Sequence, residues 1–306
     1  MKEKQTHKTH NRIKSSFSGK AFDVFNYMFI IFFCITILFP LWNMIVVSLS
    51  KPKDISYINL NLFPKDPTFE AYLFCLRNAE VWTALRNSVA RTVIGTVYHL
   101  VVCCFAAYAM TRTEMPFLKV FTIIFLITMF FGGGLIPTYL NIRNLGLLDN
   151  FLVFILPGGF SMYNTIIIRN YFFSIDKSME ESAMLDGASM LQVMFRIILP
   201  LSMPVLATVG LWQMVGHWNA WFDNMIYARS PNLVTLQYLL RRISNDVQAM
   251  NDEMQKFAAT LEQTKQYTAE SVIAATTVIV VTPIICVYPF LQRYFVKGIM
   301  LGAVKG

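Results

Sequence analysis

Seven consecutive residues, Glu181-Ser182-Ala183-Met184-Leu185-Asp186-Gly187, form a charged, glycine-interrupted segment between two long apolar stretches. Ten residues after the glycine the run Ile197-Ile198-Leu199-Pro200 begins, so the whole reads E-x-A-x-x-x-G-x9-I-x-L-P. The chemistry on offer is docking rather than catalysis, since a charged segment between apolar stretches stays at a surface where something can bind. Ser178 three residues before Glu181 has the spacing of a capping box, which predicts a helix start there. Gly187 permits the left-handed backbone of a tight helix-turn-helix. Met190 to Ile198 is expected to resume as helix, with Pro200 where the next long helix begins. An amphipathic loop resting on headgroups would show the capping signal but not the complete pattern.

A second set of residues is polar but embedded in apolar surroundings: Asn43, His99, Asn164, Gln213, His217, Asn219 and Trp221. Such groups face a protein interior or a cavity rather than lipid. They read either as a path for a polar solute or as interhelical hydrogen bonds. Trp212, Trp218, Trp221, Tyr139 and Tyr163 could stack on a sugar or anchor at the interfaces. Arg91, one turn into its apolar stretch, is expected to snorkel outward. No catalytic residues are assigned, because no Ser-His-Asp set or pair of acids is evident. No metal site is expected either, since His99 has no companion at ligand spacing.

The elements that must hold these residues belong to a membrane protein. Hydrophobic residues make up 55% of the chain and charged ones 14%, against about a quarter charged in soluble domains. Of the five cysteines, Cys34, Cys103, Cys104 and Cys286 lie in apolar segments, and Cys75 in a polar stretch, so no disulfide framework follows. Six stretches are long enough to span a bilayer as helices, at 24–47, 88–110, 118–136, 151–168, 201–225 and 272–291. The first has too long an apolar core, and no small-residue cleavage site, for a signal peptide. The domain organisation expected is a basic tail at 1–23, a permease domain at 24–291 and a tail at 292–306.

The net charge of +8 carries no aromatic-interleaved basic face, so it reads as topology and not as nucleic-acid binding. Lys2, Lys4, Lys8, Arg12, Lys14 and Lys20 place the N-terminal tail in the cytoplasm, and Arg293, Lys297 and Lys305 place the C-terminus there too. The loop around 170–200 with the Glu181 motif is then also inside. A long polar loop at about 227–271, rich in Gln, Asn, Asp and Glu, lies outside and is longer than a connector needs.

The Glu181 pattern resembles the cytoplasmic coupling loop of membrane subunits of ABC importers. Asn87-Ser88, Ala106-Ala107-Tyr108-Ala109, Gly132 through Leu140, Trp218-Asn219-x-Trp221-Phe222-Asp223, Leu236-Gln237-x-Leu239-Leu240 and the ending Gln292 to Gly306 resemble the maltose-type carbohydrate importer permeases. The long outer loop and the ending are most similar to the branch in Gram-positive bacteria associated with complex oligosaccharides. The resemblance implies an all-α type I importer permease with six spans and a coupling helix-turn-helix. It implies a homologous second permease, two ATP-binding subunits and an extracellular solute-binding protein as partners. ATP and magnesium would belong to the ATPase subunits; this chain has no G-x-x-x-x-G-K-[ST] loop and no cofactor of its own. By the same resemblance Glu181 contacts the ATPase, Gly187 allows the turn, Ala183 packs closely and Asp186 adds a polar contact. Ser182 stands where the family has alanine. Part of the outer loop would enter the docked binding protein. Two other readings stay open: a permease for a peptide or another bulky solute, and a receptor that docks a cytoplasmic partner without transport.

Overall fold

The computed structural model describes the backbone of residues 17–51, 62–245 and 268–303, and side chains there except at 17–18, 269, 287–288 and 290–303. The basic residues Lys2 to Lys14, the middle of the outer loop with Asp246, Asp252, Glu253 and Glu262, and Lys305 lie outside the described residues. So do the side chains of Arg293 and Lys297.

Among the described residues the regular structure is helical. Helix α1 (Phe17–Ser48) and helix α3 (Ala79–Ala109) are long and apolar enough to cross a bilayer unbroken. At 32 residues α1 reaches about 48 Å, longer than the hydrocarbon core. Its apolar side chains stay exposed for most of its length, as lipid contact requires, and it packs chiefly on α13 (Ala269–Ala303). The short α2 (Glu70–Arg77) buries Ala71 and Cys75 on α13, where the Cys75 sulfur lies 3.4 Å from the Thr276 hydroxyl.

Helix α3 is the centre of the fold. Its buried residues recur every three to four positions, through Ala84, Ser88, Arg91, Gly95, His99, Cys103 and Ala107, which puts them on one face. That face meets α10 (Met203–Asn219) and α6 (Met162–Phe173). Gly95 is required by the approach of α10: a Cβ there would lie 2.5 Å from the His217 ring. Two packed clusters result, one at each end of α3. One gathers Val81, Ala84, Trp218, Leu236, Leu239 and Val280; the other joins Cys104, Ala107, Tyr108, Ile168, Phe172, Met194 and Val209.

Several expected spans are broken helices. In the third, α4 (Leu118–Phe130) stops at the glycine run 132–134, and α5 (Leu135–Asn144) leaves at 118°. The stretch 151–168 is not one helix. A 3-10 turn (Phe151–Phe154) gives way to an irregular segment, and α6 starts only at Met162, capped by Ser161. Pro157 has no N–H to give, and Gly158-Gly159 favours no helix, so the backbone turns there. The fifth ends at Asn219, before a short α11 (Phe222–Tyr227). Pro200 does not open the long helix as expected. It sits in α9 (Leu199–Leu201), and α10 begins at Met203 after an 80° bend between the two helical runs.

Candidate functional site

The helix-turn-helix forms as the glycine predicts, but with a different start. Helix α7 (Lys177–Leu185) is capped by Asp176, whose carboxylate accepts from the Ser178 amide at 3.0 Å. The Ser178–Glu181 capping box is therefore absent: an acid two residues upstream takes the Ser178 amide and starts the helix one residue before Ser178. That hydrogen bond, reinforced by the Ser178 hydroxyl, holds the Asp176 carboxyl below its ordinary range. At the other end Gly187 has φ +86°. The Gly187 amide donates to the Met184 carbonyl and the Ala188 amide to the Ala183 carbonyl, both at 3.0 Å. These two bonds are a Schellman closure, which a β-carbon at Gly187 would strain. A capping box does occur, from Ser189 to Gln192, and starts α8 (Met190–Val193). A wide π turn (Met194–Ile198) then leads into α9.

Each residue expected to serve in coupling can now be placed. Glu181, Asp186 and Gly187 are exposed, while Ala183 is half-buried against the cluster at the Tyr108 end of α3. Leu185 is 89% exposed, and Met179, Met190 and Leu191 also show to solvent. An acidic pair with four apolar side chains is thus displayed on a turn whose own backbone is closed. The neighbouring Glu180, which sequence reasoning passed over, points inward. It accepts from the Tyr108 hydroxyl at 2.8 Å and pairs with Arg112. Burial works against the Arg112 charge, but the hydrogen bond and charge of Glu180 outweigh it and raise its pKa.

Three of the embedded polar residues meet at one point. His99 is fully buried; its Nδ1 lies 2.8 Å from the Gly158 carbonyl, which can only accept, so Nδ1 carries the hydrogen. Nε2 then accepts from the amide groups of Asn164 at 2.9 Å and Gln213 at 3.0 Å, with the Cys103 sulfur 3.4 Å away. The irregular backbone at Gly158, α3, α6 and α10 are joined through this one imidazole. His217 is buried on Gly95, one step along α3. Asn219 and Trp221 sit apart from it, Asn219 accepting from Gln237 at 3.1 Å and Trp221 under the Arg241 guanidinium. Asn43 is on α1 and not at this junction. Tyr163 and Trp212 approach each other at 6.5 Å on exposed surface of α6 and α10, and Tyr139 stacks on Tyr227.

Arg91 does not snorkel. It is 3% exposed, bound to both carboxylate oxygens of Asp223 and to the Ala220 carbonyl at 3.3 Å, and lies over the Phe154 ring. The start of α3 also fastens the segment around 224–236. Asn87 donates to the carbonyls of Asn232 at 2.7 Å and Val234 at 2.9 Å, and Ser88 accepts from the Leu236 amide at 2.8 Å. Asn224 accepts from the amide and hydroxyl of Thr235, ahead of α12 (residues 236–245).

A central helix with broken partners around a buried polar junction, and an exposed closed turn at one end, define a membrane permease of the type I ABC importer fold. The chain belongs to the binding-protein-dependent transport system inner membrane component family, which matches residues 13–301. It is similar to the polygalacturonan/rhamnogalacturonan transport system permease protein YtcP of Bacillus subtilis (strain 168), at 32% identity over 94% of this chain and 99% of that protein. Protein LplC of the same strain is 34% identical over 99% of each chain. Among solved structures, a bacterial ABC transporter involved in the import of the acidic polysaccharide alginate has a chain 33% identical. It superposes with a TM-score of 0.82 and covers 92% of this chain and 99% of that one.

Proposed function

We propose that this chain is the non-catalytic half of a translocation path for an oligosaccharide carrying carboxylate groups. A homologous permease supplies the other half, and an extracellular solute-binding protein delivers the cargo. The chain crosses the bacterial cell membrane six times with both termini in the cytoplasm. Two ATP-binding subunits hold ATP and magnesium, and each membrane subunit offers them its α7–turn–α8 unit. The observation that carries the reading is that unit: Glu181, Asp186 and Leu185 are exposed on a turn closed by its own Gly187 and Ala188 amides. Ala183 packs beneath it, Gly187 closes its turn, and Pro200 stands in α9 ahead of the bend into α10. Polygalacturonan, rhamnogalacturonan and alginate, the cargoes named for the relatives, share uronate chemistry, which supports an acidic sugar here. His99, Asn164, Gln213, His217, Asn219, Trp221 and Asn43 are the candidates for groups beside the path.

Gentle purification of the chain from its native membrane tests the assembly. A second permease and an ATP-binding subunit should remain in stoichiometric amounts. Reconstituted with the binding protein, the complex should import oligogalacturonate in preference to a neutral oligosaccharide of equal length. Recovery of the chain alone or with a signalling protein would favour a receptor instead. Import of neutral sugar alone would leave the transporter and remove the acidic cargo.

A further inference from the structure

Two adjacent glutamates on α7 differ in their surroundings: Glu181 is exposed, and Glu180 is half-buried. Glu180 is bound on its own side by two groups from the end of α3. The Tyr108 hydroxyl donates to it at 2.8 Å and lies 3.3 Å from the Met190 carbonyl on the other arm of the turn. One phenol therefore touches both helices of the unit. Arg112, just past the end of α3, pairs with the same Glu180 oxygen, and its guanidinium stacks 4.5 Å above the Tyr108 ring. Behind them Ala183, Met184 and Ala188 pack against the cluster that includes Cys104, Ala107 and Phe172. Arg169 of α6 donates to the Met110 carbonyl at 3.1 Å, so a second helix is fixed to the same point.

We propose that Glu180 is a positioning residue: the Glu180–Arg112–Tyr108 clasp makes α7 and α3 move as one body. Displacement of the docked turn then reaches α3 through a charge-assisted hydrogen bond rather than through a flexible loop. This rests on the coupling reading given above, and adds the residue that transmits rather than the residues that dock. Without the clasp, apolar contacts join α7 to α3, and such contacts slide where a carboxylate oxygen held by two donors does not. Sequence supplies a reason for the arrangement. A single acid could not both face a partner and grip α3, whereas two successive acids on a helix point about 100° apart.

The test uses the complete transporter in liposomes, with the ATP-binding subunits and binding protein, and reads solute imported per ATP hydrolysed. Glu180→Gln and Arg112→Met should leave the ATP-binding subunits bound and hydrolysing, while import per ATP falls on the order of tenfold. Glu180→Asp should recover part of it. Glu181→Gln should instead release the ATP-binding subunits. Import per ATP unchanged in Glu180→Gln would overturn the clasp. If Glu181→Gln and Gly187→Pro also left association and import intact, the docking reading itself would fall. Should Glu180→Gln not assemble, the exchanged pair Glu180→Arg/Arg112→Glu decides. Recovered import per ATP supports the clasp, and recovered assembly without import overturns it.

Discussion

Replacing Asp223 by asparagine should destabilise the folded chain by about 2–4 kcal/mol. The starting point is the cost of removing one partner of a buried ion pair, roughly 3–5 kcal/mol. Arg91 qualifies, at 3% exposure, but the Asp223 side chain is 25% exposed, so solvent screens part of the loss. Asparagine also keeps an oxygen for the Arg91 Nη1 and for the Asn224 amide, 3.1 and 2.9 Å from Oδ1. What goes is the countercharge and one of the two hydrogen bonds. The rest of the surroundings offers little, since Nε has no acceptor among the described residues and Phe154 supplies only a ring face. Thermal unfolding in nanodiscs is the assay, and the expected drop is about 5–15 °C. The reciprocal change Arg91→Met should cost less, because the remaining carboxylate can turn to water. The double variant should be milder than the sum by about 1–3 kcal/mol. A loss under about 0.5 kcal/mol for Asp223→Asn, or strict additivity, would mean that the guanidinium is solvated after all.

Three further perturbations test the remaining joints. Gly187→Ala meets no steric neighbour, so its cost is the positive φ alone, about 1–2 kcal/mol; Gly187→Asn should cost less, and exchange of the Ala188 amide reports both. His99→Leu strands the Gly158 carbonyl and the Asn164 and Gln213 amides, at about 1–3 kcal/mol for each group left unpaired. Its folded-state melting point should fall further than that of His99→Gln. Because the Asp176 carboxyl is held below its ordinary range when folded, its support of α7 is complete above the unfolded carboxylate pKa. That support fades as pH falls through the folded value, so protection of the Ser178 amide relative to its intrinsic exchange rate should fall on acidification, and Asp176→Asn should flatten the dependence.

The sequence made some of this legible for physical reasons that apply generally. Apolar length located α1 and α3, because a helix must cross the hydrocarbon with its backbone bonds internal. The turn at Gly187 was legible because a glycine after an amphipathic run has few other uses. Less was visible where the answer depends on residues far away in the chain. Arg91 looks like a snorkelling residue until Asp223, separated from it by 132 positions, is brought beneath it. An acid closing the Trp218-to-Asp223 motif at the end of an apolar stretch was the available signal, since a charge there asks for a partner. Ser178 and Asp176 both cap well, and only the geometry of the preceding chain decides between them. Glu180 and Glu181 are identical in type and adjacent, so their division of labour rests on Tyr108 and Arg112, 72 and 68 positions away.

These long-range contacts fall on α3 or just past its end, and their order along it has a mechanical consequence. Asn87, Ser88 and Arg91 hold the segment around 220–236 at one end of α3, His99 joins α6 and α10 at its middle, and Tyr108 and Arg112 hold α7 at the other. An unbroken 31-residue helix spans about 46 Å and does not kink sharply without a defect such as proline. Its neighbours carry the defects instead, at the glycine run after α4, at Pro157-Gly158-Gly159 and at the 80° bend before α10. With the proposed clasp in place, a push on α7 should reach the far end of α3. The change of shape has to be taken up where the backbone is already broken, around the His99 junction.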